Sequence, residues 1–249
     1  MHKKLLRKIA KIKAFSIKNS KWIIIGIVSL LFIGGISFKQ ILDRTVKKRS
    51  MKIEYLVIHY TANASAAANA EMNARYLRNK EQAGTHYCID DQEIIQCTDE
   101  NNVAYAVGDR KWLGFIPKPW LKNKIKNNNS LSFEMCLGGG RNDSMIVEKT
   151  AQIIGWQLIN KGFLRTDSTW IWDDSLNKQV LFTKKVPDLG RVVRHHDVSG
   201  KHCPKFYYKD PVWNQAKEDR AFYIFKQKCL KYANIHLEAK NKTKTQIIQ

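Results

Sequence analysis

Seventeen residues from Trp22 to Phe38, WIIIGIVSLLFIGGISF, carry no charge, and Lys21 and Lys39 bracket them. No other stretch limits the fold as sharply, because so long an apolar run has no polar face to turn toward water. As a helix rising ~1.5 Å per residue it spans roughly 25 Å, the short end of a membrane crossing. A cleaved signal peptide fits less well, given the 21-residue lead before the run and no small-residue cleavage site after it. The expectation is a basic segment over 1–21 and a transmembrane signal-anchor helix over 22–38. Eight Lys/Arg precede the run and five follow it by residue 50, which favours an inside N-terminus. This predicts a single-pass protein of the cytoplasmic membrane whose folded domain faces the periplasm or cell wall.

The charge follows the same division. Of the formal net charge of +21, residues 1–50 supply +12, with thirteen Lys/Arg against Asp43 alone. A nucleic-acid binder would concentrate its basic groups on one face of the folded domain, whereas here they flank an apolar run and are otherwise scattered. No nucleic-acid partner is expected. With 44% hydrophobic residues the chain has ample material for a core, which argues against disorder.

Residues 39–50, KQILDRTVKKRS, read as a linker, a folded domain is expected over 51–233, and the Lys/Asn/Thr-rich 234–249 read as a polar tail. The domain opens with IEYLVIHYT, a β-branched and aromatic run that predicts a strand ending at His59. An Ala-rich helix is expected over 65–79 with Ser65 as its N-cap. THYCID and EIIQC predict a hairpin turning at Asp90–Gln92. SLSFEMC (130–136) alternates, so that Ser132, Glu134 and Cys136 share one face. A helix is expected from about Met145 to Phe163, where Ile146, Ile153, Ile154 and Leu158 recur at helical spacing. Residues 164–190 show no clear period and read as an excursion. RVVRH predicts a short strand, and Asp210-Pro211 starts a last helix running to about Tyr232. Interleaved strands and helices predict an α/β fold, a mixed central sheet flanked by helices.

Five cysteines, Cys88, Cys97, Cys136, Cys203 and Cys229, show no zinc-ribbon spacing. An odd count fits one metal ligand or free thiol plus up to two disulfides, and Cys88 and Cys97 flank the predicted hairpin. The densest chemistry lies in RHHDVSGKHCP, residues 194–204. Zinc takes about four ligands from Cys sulfur, His nitrogen and carboxylate oxygen, and a catalytic site keeps one position for water. His59 at the end of one strand, His195 or His196 at the end of another, and Cys203 in the following loop supply such a set. Neighbouring strand residues point to opposite faces, so only one of the two adjacent histidines reaches a given metal, and spacing does not say which.

VIHYTAN, THYCIDDQEIIQ, AVGD, NNSLSFEMC and VVRHHDVSGKHCP fall in the order and spacing of the zinc-dependent N-acetylmuramoyl-L-alanine amidases. The resemblance, which includes phage lysozyme-like amidases and peptidoglycan-recognition proteins, covers about residues 52–210. It implies that His59, His195 and Cys203 hold Zn2+, that Glu134 and Lys201 are catalytic, and that His196 is structural. His86 is implied on the substrate side, His202 at the surface or behind the ligands, and Asp197 outside the ligand set. The implied reaction is hydrolysis of the amide between N-acetylmuramic acid and L-alanine in peptidoglycan by a monomeric domain. A non-catalytic recognition module and an amidase of soluble muropeptides are the alternatives. Two positions depart from the pattern. Thr85 stands where some phage members carry a catalytic tyrosine, and Ala106 replaces a histidine common in bacterial members. The basic, aromatic segment GDRKWLGFIPKPWLKNKIKNNN reads equally as a glycan grip or a surface loop.

Overall fold

The computed structural model describes residues 37–42, 47–78, 80, 83–107, 118–121, 123–207 and 209–248, the last seven by backbone alone. Two compact units divide between Phe38 and Lys39, and the account below concerns the second. The expected transmembrane helix lies outside the described residues except for Ser37 and Phe38, which belong to an extended strand. Among the described residues no helix is long and apolar enough to cross a membrane, and this corrects the expected single-pass placement.

A six-stranded sheet forms the centre. Its strands are β1 (Ser37–Gln40), β3 (Tyr55–Tyr60), β4 (Tyr87–Ile89), β5 (Glu93–Gln96), β7 (Ser130–Met135) and β10 (Val192–Arg194), in the spatial order β1-β5-β4-β7-β3-β10. The strands β4, β7, β3 and β10 run parallel, and β5 returns antiparallel to β4 as the hairpin pattern requires. Parallel pairing brings four strand C-termini to one end, which is where loops of such sheets gather functional groups. A minor pair, β2 (Lys47–Lys48) with β6 (Asn102–Val103), lies apart from this sheet.

Each face is covered by helices. On one, the short helix α1 (Ala70–Leu77) sets Ala70 and Ala74 against Cys88, Ile95, Cys97 and Cys136. It starts at Asn69, whose side chain accepts from Met72 N–H, four residues later than expected. On the other face Tyr87 stacks on Phe133 with ring centroids 5.1 Å apart. There the helix α2 (Asp143–Asn160) directs Gln157 to the Tyr87 hydroxyl. The C-terminal helix crosses α2 at Gly155, where a Cβ would lie 2.7 Å from that of Tyr232 and 2.9 Å from the Cys229 carbonyl. This helix, which becomes α4 below, spans Gln215–Ile248 and so runs past the expected end at Tyr232.

Two further regions differ from the sequence expectation. The excursion 164–190 is a two-stranded ribbon, β8 (Leu164–Asp173) paired antiparallel with β9 (Lys178–Pro187). The stretch 39–50, read as a linker, is bound into the domain. Ile41 is buried beside α1, and the Arg49 guanidinium donates to the carbonyls of Glu100, Asn102, Asn127, Asn128 and Ser130. One half-buried cation thereby satisfies carbonyls of two loops that the sheet ladder leaves unpaired.

Candidate metal centre

The strand β3 carries His59 one residue before its end, on the face it shares with Val57, and β7 sets Glu134 directly beside His59 in parallel register. Side chains in register on adjacent strands share a face, so the imidazole and the carboxylate stand next to each other. Next to β3 on its other side, β10 stops at Arg194, and His195 opens a short helix, α3 (His195–Ser199). Both adjacent histidines therefore sit in a helical turn rather than at a strand end as expected. They still diverge, since consecutive helical residues point about 100° apart. Gly200 ends the turn in the left-handed region, at φ 80°, and donates back to the His196 carbonyl. The chain then folds over itself. His196 N–H donates to the Cys203 carbonyl at 2.7 Å, which swings the thiol back toward the two strands.

The result is a compact donor set. The His59 and His195 rings lie 4.7 Å apart at their centroids, and Cys203 Sγ is 3.8 Å from His59 Nδ1. One ligand atom from each of His59, His195 and Cys203 falls within 4.8 Å of the others, and all three residues are buried. Four-coordinate zinc with bonds of 2.0–2.3 Å separates its ligands by roughly 3.3–3.8 Å, so the set needs only a small contraction. Burial, and then the nearby His195 and Lys201, push the His59 pKa well down, which leaves its imidazole neutral. Two imidazoles with a thiolate are a donor set suited to zinc.

Glu134 is the odd member of this neighbourhood. Burial raises its carboxyl pKa to about 7, against the opposing charge of Lys201, and its buried Oε2 accepts no hydrogen bond. Lys201 is exposed at the loop, so its charge reaches both Glu134 and His59 from the open side.

The remaining expected residues lie elsewhere. His196 holds the loop, with Nδ1 3.1 Å from the Gly200 carbonyl and 3.0 Å from that of Lys201, and Nε2 2.7 Å from Gln215 Oε1 at the start of α4. His202 stacks on Trp213, centroids 4.5 Å apart. Asp197 is fully buried and bound by Arg194 at 2.9 Å and Lys118 at 3.3 Å, outside the donor set. His86, expected toward substrate, is corrected. It is fully buried, and its Nδ1 accepts from Ser132 N–H at 3.0 Å. That places the ring proton on Nε2, which faces the Asn102 carbonyl at 3.3 Å and the Arg49 guanidinium at 3.0 Å. Burial and the Arg49 charge lower its pKa to about 3. Thr85 turns its hydroxyl to the Ser132 carbonyl at 2.9 Å and is likewise internal. Among the described residues all five cysteines are reduced, including Cys88 and Cys97.

Arg49 is the residue that sequence reasoning missed. It sits in a basic run with no periodicity, and only the tertiary meeting of residues 100–102 with 127–130 makes it a hub.

A family model described as N-acetylmuramoyl-L-alanine amidase matches residues 49–206. The chain is 28% identical over 171 residues to the N-acetylmuramoyl-L-alanine amidase CwlA of Bacillus subtilis (strain 168), covering 67% of this chain and 48% of that protein. It is 30% identical over 164 residues to the amidase CwlL of Bacillus licheniformis, covering 64% and 38%. The chain thus spans about half or less of the length of these curated relatives. The catalytic domain of XlyA superposes with a TM-score of 0.53 at 20% identity, covering 78% of this chain and 99% of that domain. The Staphylococcus aureus hydrolase AmiA, solved with its ligand, also gives 0.53, at 14% identity and 92% of each chain. At these identities the superpositions speak to the fold. Neither they nor the relatives' names support a single-pass membrane placement.

Proposed function

The chain belongs to the N-acetylmuramoyl-L-alanine amidase family, and on that premise we propose that it hydrolyses the amide joining the lactyl group of N-acetylmuramic acid to L-alanine in peptidoglycan. The observation that carries this reading is the in-register pairing of Glu134 with His59, which puts a carboxylate of raised pKa beside the donor set. His59, His195 and Cys203 would hold the zinc ion, whose Lewis acidity, when bound, acidifies water and polarises a carbonyl. A carboxyl group near pKa 7 exchanges a proton readily at neutral pH, which is what a single group serving as base and then acid requires. Glu134 takes a proton from the attacking water on a carboxylate oxygen. It returns that proton to the alanine nitrogen as the carbon–nitrogen bond breaks and the new carbon–oxygen bond remains. Lys201, on the open side, offsets the negative charge that develops on the carbonyl oxygen. The products are a glycan bearing free muramic lactate and a peptide with a free alanine amine. Cys203 serves as a ligand, and no covalent enzyme intermediate forms.

The test is mass spectrometry of purified cell wall after digestion by the full chain, beside Glu134→Gln. Free L-alanine amines on released peptides, absent with Glu134→Gln, are expected. Tight wall binding without release by the unaltered protein would show a recognition module instead.

A further inference from the structure

The β8–β9 ribbon stands apart from the logic of the rest of the domain. A lone two-stranded hairpin is marginal in water, because one pairing cannot bury either face. Here the residues near the tip are apolar on both faces. Trp170, Trp172 and Leu181 share one side, and Ile171, Val180 and Phe182 the other. Trp170 is 65% and Trp172 58% exposed, and Leu181 and Phe182 are about half exposed. So much apolar surface on both sides of a protruding ribbon marks an interaction element.

The two edges of the ribbon are not equivalent. The strand β9 lies against α4 and carries Lys178, Lys184 and Lys185, the kind of charge that guards an edge against pairing. Among the described residues β8 makes its substantial contacts with β9 alone, which leaves its outer edge open. The sequence of β8, LRTDSTWIWD, carries a base at its second position, Arg165, and ends with an acid, Asp173. An antiparallel pairing of β8 with a second β8, centred on Thr169, sets Arg165 opposite Asp173 twice. On the same register each Trp172 faces a Thr166 and each Trp170 a Ser168, bulky against small. The two Trp170 rings then meet on the diagonal across the axis, where aromatic side chains are long enough to touch. A shift of two residues toward the tip instead sets Asp167 against Asp173, and centring on Asp167 sets that residue against itself.

We propose that the outer edge of β8 is a self-association surface, pairing with β8 of a second copy across a two-fold axis to give a four-stranded sheet. The arrangement is isologous and closes on itself, as a two-fold dimer must. It extends the ribbon past the strand number at which a small sheet becomes stable, and it revises the monomeric domain expected from the sequence. The surface stands on its own residues and does not depend on the hydrolytic reading.

Sedimentation equilibrium of the full chain, from low to high micromolar concentration, tests this. The expected result is a species of twice the 28.9 kDa chain mass. Arg165→Asp should weaken association by about tenfold, because two attractive pairs become repulsive. Adding Asp173→Arg to that variant reverses both charges and should restore it, which separates lost pairing from lost folding. A monomer at every concentration, or a dimer indifferent to Arg165→Asp, would overturn the proposal. So would a monomer that binds purified wall through Trp172 and loses that binding in Trp172→Ala, since the ribbon would then serve the wall polymer.

Discussion

Two buried histidines, His59 and His86, flank the same strand β7 and have come to opposite ends. Both are nearly inaccessible to water, and burial is the first cause of a lowered pKa in each. His86 is engaged on both sides, its Nδ1 accepting from Ser132 N–H and its Nε2–H facing the Asn102 carbonyl, with the Arg49 guanidinium alongside as a charge and not as a bonding partner. His59 instead directs Nδ1 at the Cys203 sulfur, beside His195, and its Nε2 is buried with no hydrogen-bond partner. Burial and a depressed pKa therefore do not distinguish a structural histidine from a candidate ligand. What distinguishes them is whether the surrounding donors and acceptors leave a coordination direction open.

The comparison breaks most visibly at Glu134. Glu134→Gln keeps the shape but removes the proposed proton acceptor, and amide hydrolysis should fall by about 10²–10⁴ while zinc content and melting temperature stay near those of the unaltered protein. An equal fall in melting temperature would show that the carboxyl is structural. On the other side of β7, Arg49→Met strips donors from five carbonyls. A loss of about 2–4 kcal/mol is expected in denaturant unfolding, with activity per folded molecule unchanged.

A finer test uses opposite pH slopes in the metal-free protein. Glu134 is held near 7 in the fold against an ordinary 4.5, so its stabilising contribution is complete below pH 4.5 and is lost as pH rises through 7. His86 is held near 3 against 6.5, so its contribution is complete above pH 6.5 and is lost as pH falls toward 3. Unfolding followed across pH 4–8 should lose the first slope in Glu134→Gln and the second in His86→Gln, and each substitution should leave the other slope in place. If either variant flattened both slopes, the two sites would be one coupled network.

Much of this was legible beforehand because it rests on local pattern. The alternation of SLSFEMC fixes which face of β7 carries Glu134, and the β-branched run ending at His59 fixes the neighbouring strand. Choosing between His195 and His196 needed the family resemblance. Both begin a helical turn, and only the fold of the loop back through Cys203 commits His196 to the Gly200 and Lys201 carbonyls. The family resemblance alone put His86 on the substrate side, and the fold buries it completely. The Arg49 contact that internalises it lies 37 residues away, in a segment without period. The ribbon escaped notice for a related reason. Trp170-Ile171-Trp172 and Val180-Leu181-Phe182 are apolar on consecutive positions, so neither strand alternates as a half-buried strand would.

The most direct measurement is metal stoichiometry and affinity, by elemental analysis and competition with a chromogenic chelator, for the unaltered protein, His59→Ala and His86→Gln. One zinc ion per chain, lost with His59→Ala and retained with His86→Gln, is the predicted result. Zinc that survives His59→Ala, or leaves with His86→Gln, would contradict the assignment of the open coordination site to His59, His195 and Cys203.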